Sequence, residues 1–197
     1  MSVENVVGAS GVLIVAGKGG VGKTTVGATV ALAAARTGAN VHLIELEGQS
    51  HLASLFDADP TAFEPSLLWS DPDGHGRVWG RRITPDEALL DYLGAHGLDR
   101  LTGRLSHSGI IDVVTTAAVG LRDLMALGKI RQIADRGEAD LVVVDGPAAG
   151  HAISFLRTPA GLARASLGGP VHSQANAALD FLADERRCRV QLVCVPD

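Results

Sequence analysis

Cysteine is scarce in this sequence, and long runs of positive charge are missing. The two cysteines, Cys188 and Cys194, cannot form a disulfide framework, which favours a reducing compartment. Lysine and arginine never form a run longer than a pair, and the formal net charge is −5. This balance argues against a surface that binds nucleic acid, so we expect no nucleic-acid partner.

Signals for secretion and for membrane insertion are missing as well. No basic region precedes the first short apolar stretch, which argues against a signal peptide. No stretch approaches the ~18 consecutive apolar residues that a membrane span requires. Hydrophobic residues make up 46% of the 197 residues and charged residues 20%, which indicates a globular chain with one sizeable core. We expect a cytoplasmic protein that does not insert into a membrane.

A glycine-rich segment near the N-terminus carries the strongest chemical signal. Residues 17–25 read G-K-G-G-V-G-K-T-T and fill every fixed position of the phosphate-loop pattern G-x-x-x-x-G-K-[ST]. Apolar residues 12–16 before the loop predict a buried strand, and residues 24–37 after it predict a helix. The sequence therefore predicts a strand, a phosphate-binding loop and a helix N-terminus, the context that this motif needs.

The nine loop residues have predicted roles in binding a nucleotide. Backbone N–H groups of the loop should surround the phosphates, Lys23 should reach the β- and γ-phosphates, and the Thr24 hydroxyl should ligate Mg²⁺. The predicted nucleotide-binding residues are Gly17, Lys18, Gly19, Gly20, Val21, Gly22, Lys23, Thr24 and Thr25.

A carboxylate directly after a second apolar run supplies the other half of a magnesium site. Residues 141–144 predict a buried strand, and Asp145 follows them in the Walker B arrangement. We expect Asp145 to hold Mg²⁺ beside Thr24. Residues 145–151 are expected to continue as a flexible switch loop, in which Gly146 places its N–H against the γ-phosphate because no Cβ blocks the approach.

An acidic segment after the predicted second strand is the candidate first switch. Hydrolysis requires a group that orients or activates the attacking water, and Glu47 is the first candidate for this role. Glu45 is the competitor, although it lies nearer the strand, and an ordinary solvated acidic loop remains the alternative for both. From these patterns, the predicted catalytic residues are Lys23, Glu47 and Asp145.

The order of predicted elements indicates an α/β fold. Further strands are predicted at residues 41–44, 77–83 and 190–195, and residues 45–73 are expected to hold short helices at most. A helix should begin at Thr84-Pro85, and residues 110–134 predict one amphipathic helix or two, with Gly120 and Gly128 as possible breaks. Such alternation predicts a mostly parallel sheet with helices on both faces, and a ligand site at the carboxyl ends of its strands.

Lys18, the additional lysine of the phosphate loop, indicates a narrower class of P-loop protein. The segment K-G-G-V-G-K-T-T resembles the deviant Walker A loop of a group of dimeric P-loop ATPases. That group includes the MinD/ParA positioning proteins, nitrogenase iron protein and the ATPases of arsenical pumps and tail-anchored protein targeting. The resemblance implies that Lys18 is a further catalytic residue, which acts in trans on the nucleotide of a partner subunit.

Residues 145–159 narrow the resemblance to one branch. They read D-G-P-A-A-G-H-A-I-S-F-L-R-T-P and resemble the second switch of the arsenical-pump and tail-anchored-targeting ATPases. Residues 47–56 align with the first switch of that branch, but Glu47-Gly48 stands where the family has Asp-Pro. The resemblance implies a Mg-ATP-dependent homodimer, or a heterodimer with a homologous ATPase, that handles a transported anion or a membrane-protein client.

Two alternatives remain open from the sequence. A non-hydrolysing regulatory subunit that pairs with an active homologue would fit the Glu47-Gly48 departure, and a MinD/ParA-type positioning ATPase would fit the phosphate loop. The whole chain is expected to be a single P-loop ATPase domain that is truncated at its C-terminus. Family members of this kind continue into the segments that carry the adenine pocket.

Overall fold

The computed structural model of the protein describes residues 11–46, 52–95 and 119–195. They form a six-stranded sheet with the strand order β3-β4-β2-β5-β1-β6, in which β3 and β4 are antiparallel and all other neighbours are parallel. The strands are β1 Gly11–Gly17, β2 Asn40–Leu46, β3 Ser66–Ser70, β4 Arg77–Ile83, β5 Leu141–Ala148 and β6 Cys188–Val193. The predicted α/β class with a mostly parallel sheet is confirmed.

Helices cover both faces of this sheet. They are α1 Lys23–Arg36, α2 Pro85–Ala95, α3 Val119–Asp135, α4 Ala149–Ala165 and α5 Gly169–Ala183, with a short 3-10 helix at Ala53–Phe56. None of the helices in the described ranges is long and apolar enough to cross a membrane.

Alternating strand residues build two separate cores. Leu13, Leu43 and Val143 face α1, whose fully buried residues are alanines such as Ala31 and Ala34. Small side chains let this helix lie close to the sheet. Its N-terminus lies near the carboxyl ends of the strands because a short loop joins the helix to the end of β1. On the other face, a larger core packs strand residues against α3 and α5; its members include Ile14, Ile44, Val144, Leu127 and Phe181.

Local signals explain where two helices begin and end. Gly38 follows α1 with a φ of 100°, the left-handed conformation that glycine adopts at low cost after a helix. At the start of α2, the Glu87 N–H donates to the Thr84 hydroxyl at 3.3 Å, and the Thr84 hydroxyl donates to the Glu87 carboxylate. This reciprocal cap agrees with the predicted helix start at Thr84-Pro85.

Four predicted elements differ from the structure. Residues 45–73 contain strand β3 as well as a short helix, because β3 is stabilised by antiparallel pairing with β4 that has no local sequence signal. Strand β5 continues to Ala148 and α4 follows at once, so residues 145–151 are not a loop. Helix α3 passes through Gly128 without a break. The sixth strand is Cys188–Val193, two residues earlier than predicted; predicted helix residues 110–118 lie outside the described ranges.

Candidate functional site

The loop between β1 and α1 lies at the carboxyl end of the sheet and takes a conformation that requires glycine. Gly20 and Gly22 have φ values of 80° and 88°, a region that residues with a Cβ rarely adopt. No described atom would lie within 4 Å of a Cβ added at Gly19, Gly20 or Gly22, so the space above the loop is open. A glycine loop that opens onto free space is suited to binding an anion through its N–H groups.

Gly17 is glycine for a different reason. A Cβ at this position would lie 2.3 Å from the Val193 carbonyl oxygen of β6, far inside contact distance. The first glycine of the motif therefore allows β1 and β6 to pair closely where the loop begins.

The two lysines of the loop lie in different environments. Lys23 is the first residue of α1, and its Nζ donates a hydrogen bond to the Lys18 carbonyl oxygen at 3.3 Å. Its ammonium group thus lies over the loop backbone and next to the positive end of the helix dipole. Lys18 is exposed, so it is accessible to another molecule.

Thr24 and Asp145 are in contact at the carboxyl end of the sheet, although 121 positions separate them in the sequence. The Thr24 hydroxyl donates to Asp145 Oδ2 at 2.7 Å. Asp145 is only 7% exposed, and its burial raises the pKa of the carboxyl group. The Thr24 hydrogen bond and the Lys23 charge oppose this rise in pKa, whereas the charge of Glu45 adds to it.

This pair has the chemistry of a magnesium site. Asp145 Oδ1 is buried and has no hydrogen-bond partner among the described residues. A carboxylate oxygen buried in this way is costly unless a cation or a donor approaches it. Hydroxyl and carboxylate oxygens are the ligands that Mg²⁺ prefers, so Thr24 and Asp145 fit the metal that the motif implies.

Gly146 has a structural reason to be glycine beyond the expected phosphate contact. The register between β1 and β5 shifts just after Asp145, where Gly146 and Pro147 together stand opposite Ala16 and form a bulge in β5. A Cβ on Gly146 would lie 2.5 Å from the Val15 carbonyl oxygen. Close packing of the bulge on β1 therefore requires glycine here, and the predicted contact of its N–H with a γ-phosphate stays a prediction.

Of the two acids that are candidates for the first switch, the structure describes only Glu45. Glu47 lies outside the described residues. Glu45 is the penultimate residue of β2, is 5% exposed and accepts a hydrogen bond from the Thr61 hydroxyl at 2.6 Å. The sequence analysis missed Thr61, because it belongs to a segment without periodicity that only the fold brings to the end of β2.

A cavity of about 360 Å³ lies beside this site, between the strand ends and helices α3 and α4. His151, an exposed residue of the first turn of α4, lies on its wall together with Pro147. Its other lining residues include Leu46, Ile83, Arg122, Asp123, Ser154 and Phe155. The segment that resembles a second switch thus connects the Asp145 site with this cavity.

A strand, a glycine-rich loop and a helix in this order are the local fold that P-loop nucleotide-binding proteins share. A family model described as "Anion-transporting ATPase" matches residues 10–167. The chain belongs to this family, which confirms the branch that residues 145–159 indicated.

Two relatives show how much of the chain is shared. ATPase BagA of Mycobacterium tuberculosis is 34% identical over 176 residues, which are 86% of this chain and 52% of BagA. ATPase GET3 of Pyricularia oryzae is 26% identical over 157 residues, which are 78% of this chain and 44% of GET3. The chain therefore spans about half the length of these curated relatives.

Proposed function

We propose that this protein binds Mg-ATP and hydrolyses it as a nucleotide-switched dimer. The contact between Thr24 and Asp145 carries this proposal, since it joins the phosphate loop to the Walker B acid at 2.7 Å. Membership in an ATPase family supports ATP as the nucleotide. The proposal of a dimer depends on the resemblance of the loop around Lys18 to loops whose lysine acts on the nucleotide of a partner subunit.

Each site residue has a proposed role. Lys23 contacts the β- and γ-phosphates, and Lys18 approaches the nucleotide of the partner subunit. Thr24 and Asp145 hold Mg²⁺, which neutralises charge on the phosphates when it is bound. Glu47 orients the attacking water. The loop backbone from Gly17 to Thr25 and the Gly146 N–H bind the remaining phosphate oxygens.

Family membership suggests which process ATP hydrolysis would drive. We propose that the nucleotide state is coupled to anion transport or to handling of a membrane-protein client, in the cytoplasm. The cavity beside His151 supports such coupling, because the same segment borders both the cavity and Asp145. A regulatory subunit that binds ATP without hydrolysing it is the second candidate, favoured by Glu47-Gly48 in place of Asp-Pro.

Nucleotide binding by a Lys23→Ala variant tests the proposal. We expect the affinity for a fluorescent ATP analogue to fall at least about 100-fold, because the variant loses a charged contact to the phosphates. Arg36→Ala is the matched control, since it removes an exposed cation from the other end of the same helix. Equal affinity of Lys23→Ala and wild type would refute the phosphate-loop assignment.

A further inference from the structure

Glu45 and Asp145 occupy matching positions on neighbouring strands. They are Cα partners in the parallel pairing of β2 with β5. Residues that are directly paired in a parallel ladder point to the same face of the sheet. Asp145 faces α1, where it contacts Thr24, and Glu45 therefore lies on the α1 side of the sheet as well. The fold thus brings a second carboxylate beside the Walker B acid.

Burial makes this second carboxylate more than a surface charge. Glu45 is 5% exposed, and the Thr61 hydroxyl holds one of its oxygens at 2.6 Å. Burial raises the pKa of Asp145 most, and the charge of Glu45 adds to this rise, as expected for neighbouring carboxylates. Two carboxylates that lie close together at this depth attract a cation more strongly than either carboxylate alone.

We propose that Glu45 is a second acidic residue of the cation site, which Thr61 positions and which strengthens the binding of a divalent cation next to Asp145. This inference rests on the proposed function, because it concerns the same phosphate loop. The unpartnered Oδ1 atom of Asp145, buried among the described residues, marks the place that the cation would occupy. The role differs from activation of the attacking water, for which Glu47 is the candidate.

The affinity of the nucleotide-bound protein for Mn²⁺ tests this inference. Mn²⁺ replaces Mg²⁺ as the probe. Electron paramagnetic resonance measures the concentration of free Mn²⁺ in the presence of a non-hydrolysable ATP analogue. We expect Glu45→Gln to weaken Mn²⁺ binding by about 10- to 100-fold, as for other residues that support a metal ligand. Glu185→Gln is the matched control, since it removes the same charge from an exposed residue just before β6, at the amino ends of the parallel strands and away from the site.

A second variant and a second measurement separate charge from packing. Thr61→Val should weaken Mn²⁺ binding in the same direction but less, because it releases Glu45 without removing the charge. In EDTA and without nucleotide, Glu45→Gln should keep the melting temperature within about 2 °C of the wild-type value, since the amide oxygen can still accept the Thr61 hydrogen bond. A residue that only stabilises the fold would give a lower melting temperature when substituted.

Three results would count against the inference, and each points to a different error. Unchanged Mn²⁺ affinity in Glu45→Gln with lost turnover would make Glu45 the water-orienting group and overturn the proposal. Unchanged affinity with a lower melting temperature would leave Glu45 a purely structural residue and overturn it too. If the wild-type protein bound neither Mn²⁺ nor nucleotide, the proposed function itself would fail.

Discussion

At the residue scale, burial decides the chemistry of several polar groups. Asp145 and Glu45 are almost completely buried at the carboxyl end of the sheet, where we propose that a nucleotide and its cation bind. His42 is buried as deeply at the start of the same strand β2, and its Nδ1 has no hydrogen-bond partner among the described residues. A histidine in such a place favours the neutral form of its ring.

His42 should make the protein less stable in mild acid. Burial lowers the pKa of His42, the nearby charge of Arg81 lowers it further, and Glu138 opposes both. Because the unfolded chain takes up a proton at a higher pH than the native protein does, stability is retained above about pH 6.5 and falls as the pH drops below it. We expect His42→Asn to reduce this loss between pH 7 and pH 5, as measured by urea unfolding.

A control on the same surface makes the comparison specific. His75→Asn changes an exposed histidine that lines the same hollow as His42. It should leave the pH dependence of the wild-type protein intact. An identical pH dependence in His42→Asn and wild type would show that His42 does not contribute to it.

At the element scale, the junction of β5 and α4 is the segment on which the site depends most. Strand β5 places Asp145 beside Thr24, a bulge follows at Gly146, and α4 begins three residues later. Apolar residues 141–144 predict the strand, but the bulge depends on the approach of the Val15 carbonyl from β1. The sequence pattern alone therefore suggested a loop where the structure has a strand and a helix.

Gly146→Ala should disturb this junction. The added methyl group would lie 2.5 Å from the Val15 carbonyl oxygen, so β5 and β1 must move apart. We expect a loss of about 1–3 kcal/mol in the free energy of unfolding, typical of overpacking, and weaker binding of Mg-ATP because Asp145 shifts with the strand. Denaturant unfolding and nucleotide titration measure the two effects.

Gly150→Ala is the matched control for this substitution. Gly150 lies in the first turn of α4, and no described atom would be within 4 Å of its added Cβ. Alanine also favours a helix over glycine, so stability should stay the same or rise. Equal losses in both variants would mean that the contact with Val15 is not the cause.

At the scale of the whole molecule, the proposed dimer depends on a residue that is exposed in the single chain. Lys18 lies at the open edge of the phosphate loop. A lysine that acts on the nucleotide of another subunit must be accessible in this way, and its effect must depend on association. The single chain shows the accessibility, and the association remains a proposal.

Turnover measured over a range of protein concentrations tests the dimer. We expect ATP hydrolysis per molecule to rise with concentration in the wild-type protein and to fall by about 10³-fold or more in Lys18→Ala, the scale of a cation supplied in trans. Arg36→Ala again serves as the control for loss of an exposed positive charge. Turnover that is independent of concentration and of Lys18 would contradict a trans-acting lysine, and ATP binding without turnover would favour the regulatory subunit.

The amino-acid sequence predicts strand β1, helix α1 and strand β5, and the structure confirms all three, because each depends on neighbouring residues and their backbone preferences. It also determined the family, through residues 145–159. Tertiary structure alone decided that Thr24 meets Asp145, that Glu45 lies beside them with Thr61 as its donor, and that Gly146 packs on Val15. These contacts join strands and loops that are distant in sequence, and parallel pairing fixes which residues become neighbours.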